Sequence, residues 1–258
     1  MSDYDIKSAL INAVRTGEIF VLYQPQVLAS TGELAGVECL VRWRHPERGV
    51  LKPAQFIPVV EDDEEIIQML GGSVLRTACR DAAAWPHLFI GVNISPVQFR
   101  LPGLTGGLVA IVEEAGFPFH RIELEILETS YFENPEHMRD VLSELRKLGM
   151  GIALDDFGTG YSSLAALLEL PLDKLKIDAQ FVRKFNDIRS ASVIHAIVAL
   201  ARAIGLKITA EGVETEQQRL FLRSSGCHFL QGYLFSQPVV ADVITQMISA
   251  GKVTPRVN

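Results

Sequence analysis

The chain has 258 residues and a formal charge of −7, with 48% hydrophobic and 21% charged residues. This balance suits a soluble protein with a large core, and the acidity argues against a chain whose main task is gripping a nucleic-acid polymer. Cys39, Cys79 and Cys227 are too few and too scattered for a disulfide framework or a zinc cluster, so each reads as a small buried hydrophobe.

In chain order, the first element is a helix over about residues 4–16. Its polar start has no apolar region of the kind a signal peptide carries. Two strands follow at 19–27 (IFVLYQPQV) and 34–43 (LAGVECLVRW), joined by so short a turn that they predict an antiparallel hairpin. Helical patterns cover 54–70 and 73–85, and the acidic run at 61–65 reads as the start of a solvated helix. From there strands and helices alternate. Strands are expected at 88–95 (LFIGVNIS), 121–128 (RIELEILE), 150–157 (MGIALDDF), 172–178 (LDKLKID), 206–213 (LKITAEGV) and 227–233 (CHFLQGY). Helices are expected at 104–116, 136–149, 161–170, 189–205, 215–226 and 239–251. Gly116, Gly149, Gly205 and Gly226 close four of them, as left-handed caps do.

The most apolar stretch, 191–206, contains His195 and Arg202 and is shorter than the roughly 20 residues of a membrane span. It predicts a core helix with His195 a satisfied core residue, and a soluble, cytoplasmic chain without a membrane segment. Eight strands with helices between most of them predict a single domain, an α/β (βα)8 barrel of the TIM type with an irregular, antiparallel first strand. An open doubly wound sheet is the alternative.

The chemistry lies at the strand ends. Glu38, Asn93, Glu125, Asp155, Asp156, Lys176, Asp178, Glu211 and Gln231 all sit late in, or just after, their strands. A barrel brings such positions to one rim. Carboxylates in apolar strands are costly unless they are paired or bind metal. The donor set is almost entirely oxygen, which selects hard cations such as Mg²⁺ or Mn²⁺. Five carboxylates exceed the needs of one such ion, and the adjacent pair Asp155–Asp156 suits a bridge between two. Two hard cations suit phosphodiester hydrolysis. Lys176 can neutralise developing charge, and Glu211 can ligate an ion or serve as a base.

The segments ECLVRW, VNIS, ELEILE, LDDFGTGYSSL, LKID, AEGVE and QGYLFSQP resemble the motif series of the EAL domain, from about Tyr23 to Pro238. That family comprises cyclic-di-GMP phosphodiesterases. The resemblance implies cleavage of cyclic di-GMP to linear pGpG by water activated at two Mg²⁺ or Mn²⁺ ions. It assigns one ion to Glu38, Asn93, Glu125 and Asp155, and the second to Asp155, Asp156 and Glu211. Glu211, Lys176 and Asp178 are the implied catalytic residues, with Lys176 holding the attacking water. Implied substrate contacts are Gln24, Leu40, Arg42, Asp178, Glu214 and Gln231. Glu128 would brace the loop from Phe157 to Ser163, which in the family connects the site to a dimer interface near residues 163–169.

Two positions depart from the pattern. The namesake alanine is Cys39, whose side chain should point away from Glu38 and Leu40. A threonine commonly found between the glutamates of the ELEIT-E segment is Leu127, which removes a hydroxyl near the loop brace. One alternative reading is a catalytically silent receptor for cyclic di-GMP. Another is a Mg²⁺ enzyme of a different class that uses Lys176 to abstract a proton.

Overall fold

The computed structural model describes residues 3–127, 134–158 and 164–250, with side chains from residue 6 and, after the second gap, from residue 167. Nine strands form one sheet: β1 (Ile19–Leu28), β2 (Leu34–His45), β3 (Gly49–Leu51), β4 (Phe89–Ile94), β5 (Ile122–Leu127), β6 (Gly151–Phe157), β7 (Lys174–Ile177), β8 (Lys207–Ala210) and β9 (Phe229–Gln231). Their order is β1-β9-β8-β7-β6-β5-β4-β2-β3, and a further β1–β2 pairing closes eight of them into a barrel. The open-sheet alternative is thereby excluded. β1 runs antiparallel to both β2 and β9, and the remaining barrel pairs are parallel. β3 lies outside the closed ring and was not expected from the sequence. Its three residues make a short hairpin with the end of β2.

Ten α-helices lie among the described residues. They are α1 (Asp3–Thr16), α2 (Ile57–Val60), α3 (Glu64–Ala82), α4 (Leu104–Glu114), α5 (Pro135–Lys147), α6 (Leu164–Glu169), α7 (Ala179–Arg183), α8 (Ile188–Ala203), α9 (Glu216–Ser225) and α10 (Ala241–Ala250). The two patterns at 54–70 and 73–85 become the single long helix α3 preceded by short turns. Asp63 caps α3 by accepting from the Ile66 N–H, and Glu64 and Glu65 occupy its first turn, as the acidic run predicted. The four expected cap glycines all have positive φ, between 59° and 105°. No helix among the described residues is long and apolar enough to cross a membrane.

Strand parity sorts the core. Ile90, Val92, Leu124, Ile126, Ile152, Leu154, Leu175, Ile177 and Ile208 face outward and are buried under the helices. The inward face is polar. Alternation such as that in IELEIL usually marks a strand with one wet side, yet Glu123 is only 8% exposed and Glu125 1%. Here the polar side lines the barrel interior. A second apolar cluster packs α1 and the start of α3 against Trp43, Leu51 and Phe56. His195 differs from expectation. The buried stripe of α8 is Ile194, Ile197, Val198 and Ala201, which leaves His195 exposed beside it, bonded to Ser225 Oγ at 3.1 Å. All three cysteines are free and buried, as expected.

Candidate metal centre

The barrel interior is layered around two lysines of β7. In the lower layer Lys174 Nζ bonds Glu123 of β5 at 2.7 Å and sits 4.1 and 4.3 Å from the ring centroids of Phe89 and Phe229. Two residues on, Lys176 is fully buried and repeats the pairing with Glu125, two residues after Glu123, at 2.7 Å. Its ammonium also lies 2.8 Å from Asp155, 2.7 Å from Glu211 and 3.8 Å from Glu38. Burial alone would lower the lysine's pKa. The surrounding Asp155, Glu125, Glu211 and Glu38 overcome that and raise it well above the ordinary value.

Glu38 on β2 is held from both sides. Asn93 Nδ2 donates to its Oε1 at 3.1 Å, and Gln231 Nε2 donates to its Oε2 at 2.5 Å. Gln231 also donates to Gln24 Oε1 at 3.2 Å. Acids from β2, β5, β6 and the end of β8 thus converge, as the strand-end pattern predicted.

Asp155 and Asp156 pose a geometric problem, because neighbours in a regular strand point to opposite faces. The β6–β7 register shifts between Leu154 and Phe157, and Asp156 adopts φ 55°. It is the one positive-φ non-glycine among the described residues. Asp156 N–H donates to Asp155 Oδ1 at 2.8 Å. The bulge and the left-handed residue together turn both carboxylates toward the site, a re-aiming role bulges often have. A similar economy operates after β8. Gly212 has φ 65°, and a Cβ there would meet the Ala179 Cβ at 2.4 Å, so glycine permits the tight turn immediately after Glu211.

Carboxylate oxygens of Glu38, Glu125 and Asp155 lie within 4.8 Å of one another, and so do those of Asp155, Asp156 and Glu211. The two triads share Asp155. Burial raises the Glu125 carboxyl well above its usual range. Burial, opposed by Lys176 and aided by Asp155 and Glu38, raises Glu211 to about 8. Burial, then Asp155 and Asp178, lifts Asp156 to about 6. Asp178 caps α7 through Gln180 N–H at 2.8 Å. The five carboxylates of the two triads, with Asp178 beside Asp156, share one ammonium, so negative charge is left without compensation when all are ionised. Glu125 Oε1 is buried and accepts no hydrogen bond. An orphaned carboxylate oxygen inside an all-oxygen donor set fits a hard divalent ion.

Beside the acids opens a cavity of about 370 Å³, bordered by Glu38, Leu40, Ile57, Glu61, Asn93 and Leu127 among others. Its wall from residues 53–61 was not assigned to the site from the sequence, where 54–70 read only as a helix. Arg42 is buried on β2, its Nη1 donating to Val41 O at 2.8 Å. Glu214 stands apart. It is exposed, its backbone N–H donates to Gln218 Oε1 at 2.7 Å, and no described contact joins its side chain to the acids. Glu128 lies outside the described residues, as do residues 159–163 of the expected loop.

The EAL domain family model matches residues 7–238. The chain belongs to the EAL domain family. It is 40% identical over 247 residues to the bifunctional diguanylate cyclase/cyclic di-GMP phosphodiesterase MucR of Pseudomonas aeruginosa, covering 93% of this chain and 36% of that protein. It is 38% identical over 254 residues to the cyclic di-GMP phosphodiesterase NbdA of the same organism, covering 96% of this chain and 32% of the relative. The chain therefore spans about a third of the length of these relatives. Among solved structures, that of the PaMucR phosphodiesterase in complex with c-di-GMP superposes with a TM-score of 0.87 at 39% identity, covering 93% of this chain and 99% of the other.

Proposed function

We propose that this EAL domain hydrolyses cyclic di-GMP to linear pGpG with two divalent ions, Mg²⁺ or Mn²⁺. The observation that carries the reading is the pair of carboxylate triads sharing Asp155 around the buried Lys176. The likeness to a phosphodiesterase structure holding c-di-GMP supports the choice of substrate.

Glu38, Asn93, Glu125 and Asp155 would hold one ion, and Asp155, Asp156 and Glu211 the other. When bound, such ions lower the pKa of a water and stabilise charge on phosphate oxygens. The protein's own residues set the stage for that chemistry. Lys176, anchored by three carboxylates, keeps a fixed positive charge where the attacked phosphate gains charge. Glu211, ionised where it would hold the second ion, would be placed to take a proton from the water. Asp178 faces Asp156 and, with Gln231, orders the polar wall. Gln24, Leu40 and Arg42 would contact the substrate, a guanidinium being suited to a phosphate or a guanine edge. Glu214 is retained as an outer contact reached only by a bound ligand. Association into a homodimer would use α6, where Leu168 is 70% exposed.

The test is incubation of the purified chain with cyclic di-GMP and Mg²⁺ or Mn²⁺, followed by chromatographic separation. Formation of pGpG that stops on chelation supports the proposal. Tight binding with no product under either metal would instead establish a receptor.

A further inference from the structure

Below the acids, three strands carry buried polar atoms that no described group satisfies. These are both amide atoms of Gln26, Thr209 Oγ1 and Gln231 Oε1. Gln26 and Thr209 are fully buried, and Gln231 is 3% exposed. Gln26 and Gln231 are direct partners across the antiparallel β1–β9 pair, so their side chains share a face. That face is the barrel interior, because Gln231 Nε2 reaches Gln24 and Glu38. Thr209 is the register partner of Lys176 on one side and Phe229 on the other. The three groups therefore border one level of the interior, under Glu38 and above the Phe89–Lys174–Phe229 layer. Gly36, opposite Gln26, adds no side chain there, and a Cβ at Gly36 would strike the Phe89 ring at 2.5 Å.

The unmet hydrogen-bonding capacity is complementary. Gln26 Nε2 and the Thr209 hydroxyl have protons to give, while Gln231 Oε1 can only accept. A single water accepts from the first two and donates to the third, making the three bonds typical of a buried water. We infer that Gln26 and Thr209 hold an ordered water that donates to Gln231 Oε1, which makes both of them positioning residues for Glu38. With Oε1 tied down, the Gln231 amide keeps its Nε2 on Glu38 Oε2. Turned over, the amide would set an oxygen against the carboxylate. The metal consequence rests on the proposed function, in which Glu38 holds an ion. Partners of this kind around a ligand commonly tune metal affinity.

An atomic-resolution crystal structure of the chain should show water within hydrogen-bonding distance of the Gln26 amide, Thr209 Oγ1 and Gln231 Oε1. Calorimetric titration with Mn²⁺ should find Gln26→Met and Thr209→Val each weaker than wild type by about tenfold, at unchanged melting temperature. A merely structural role would move the melting temperature and leave the affinity alone. An interior without that water, or affinities in both variants within about twofold of wild type, would overturn the inference. If the wild-type chain binds Mn²⁺ but leaves cyclic di-GMP intact, the proposed function fails while a tenfold loss in the variants still supports the relay.

Discussion

Replacing Lys176 by methionine keeps the length of the buried side chain and removes the one cation among the acids. Its ammonium lies within 2.8 Å of Glu125, Asp155 and Glu211, and is 1% exposed. Breaking a buried ionic cluster by removing one partner costs about 3–5 kcal/mol. At ~2–4 °C per kcal/mol for a chain of this size, the metal-free variant should melt roughly 6–20 °C lower than wild type. The deficit should depend on pH. Glu211 already has a folded pKa of about 8 against an ordinary value of 4.5, and losing the lysine pushes it higher still. A carboxyl whose folded pKa is raised favours the native state while it is protonated. Its contribution is fully present below the unfolded value and is lost as pH rises through the folded one. Up to about pH 8 Glu211 is protonated in both folded proteins, so through this carboxyl the variant's deficit should stay level from about pH 5 to about pH 8 and grow above it, where wild type sheds the proton and the variant still holds it. Mn²⁺ supplied at a hundred times its dissociation constant should restore about 2.7 kcal/mol. Differential scanning calorimetry in chelator, then in Mn²⁺, reads all three effects. A variant that melts within about 2 °C of wild type across that range would refute the ionic account of the interior.

Three further outcomes are expected. Titration with Mn²⁺ should bind more tightly and release fewer protons as pH rises from about 6 to about 8, because Asp156 and Glu211 must lose protons to serve as ligands. Calorimetry in buffers of different ionisation enthalpy measures both, and pH-independent affinity would contradict it. Asp156→Gly should raise stability by up to about 1–3 kcal/mol, since it relieves the positive φ and removes a half-buried acid, while hydrolysis falls at least about a hundredfold, which denaturant melts and product assays together check. Gly212→Ala forces a Cβ into Ala179 and strains φ, so it should destabilise by more than about 1 kcal/mol and reduce kcat through a displaced Glu211.

Much of this arrangement could be read from the chain because a barrel gathers strand ends, and the acids sit at strand ends. The antiparallel start was legible in the five-residue turn before Leu34. Less visible was what depends on three-dimensional register. Nothing in LDDF announces that the second aspartate turns left-handed, although the pair was read as a bridge between two ions. The Lys174–Glu123 pair went unnoticed, although its spacing copies that of Lys176 and Glu125 two residues along. A charged residue alternating with aliphatics reads equally well as a solvent-facing strand, and only closure of the sheet makes that side the interior. His195 misled for the opposite reason. Its helix is apolar on average, but its buried stripe passes beside the imidazole rather than through it.

The arrangement of ions is most directly tested by anomalous diffraction from crystals soaked in Mn²⁺. Two peaks are predicted, one among Glu38, Asn93, Glu125 and Asp155 and the other among Asp155, Asp156 and Glu211. A single peak, or manganese bound away from Asp155, would contradict the shared-carboxylate centre.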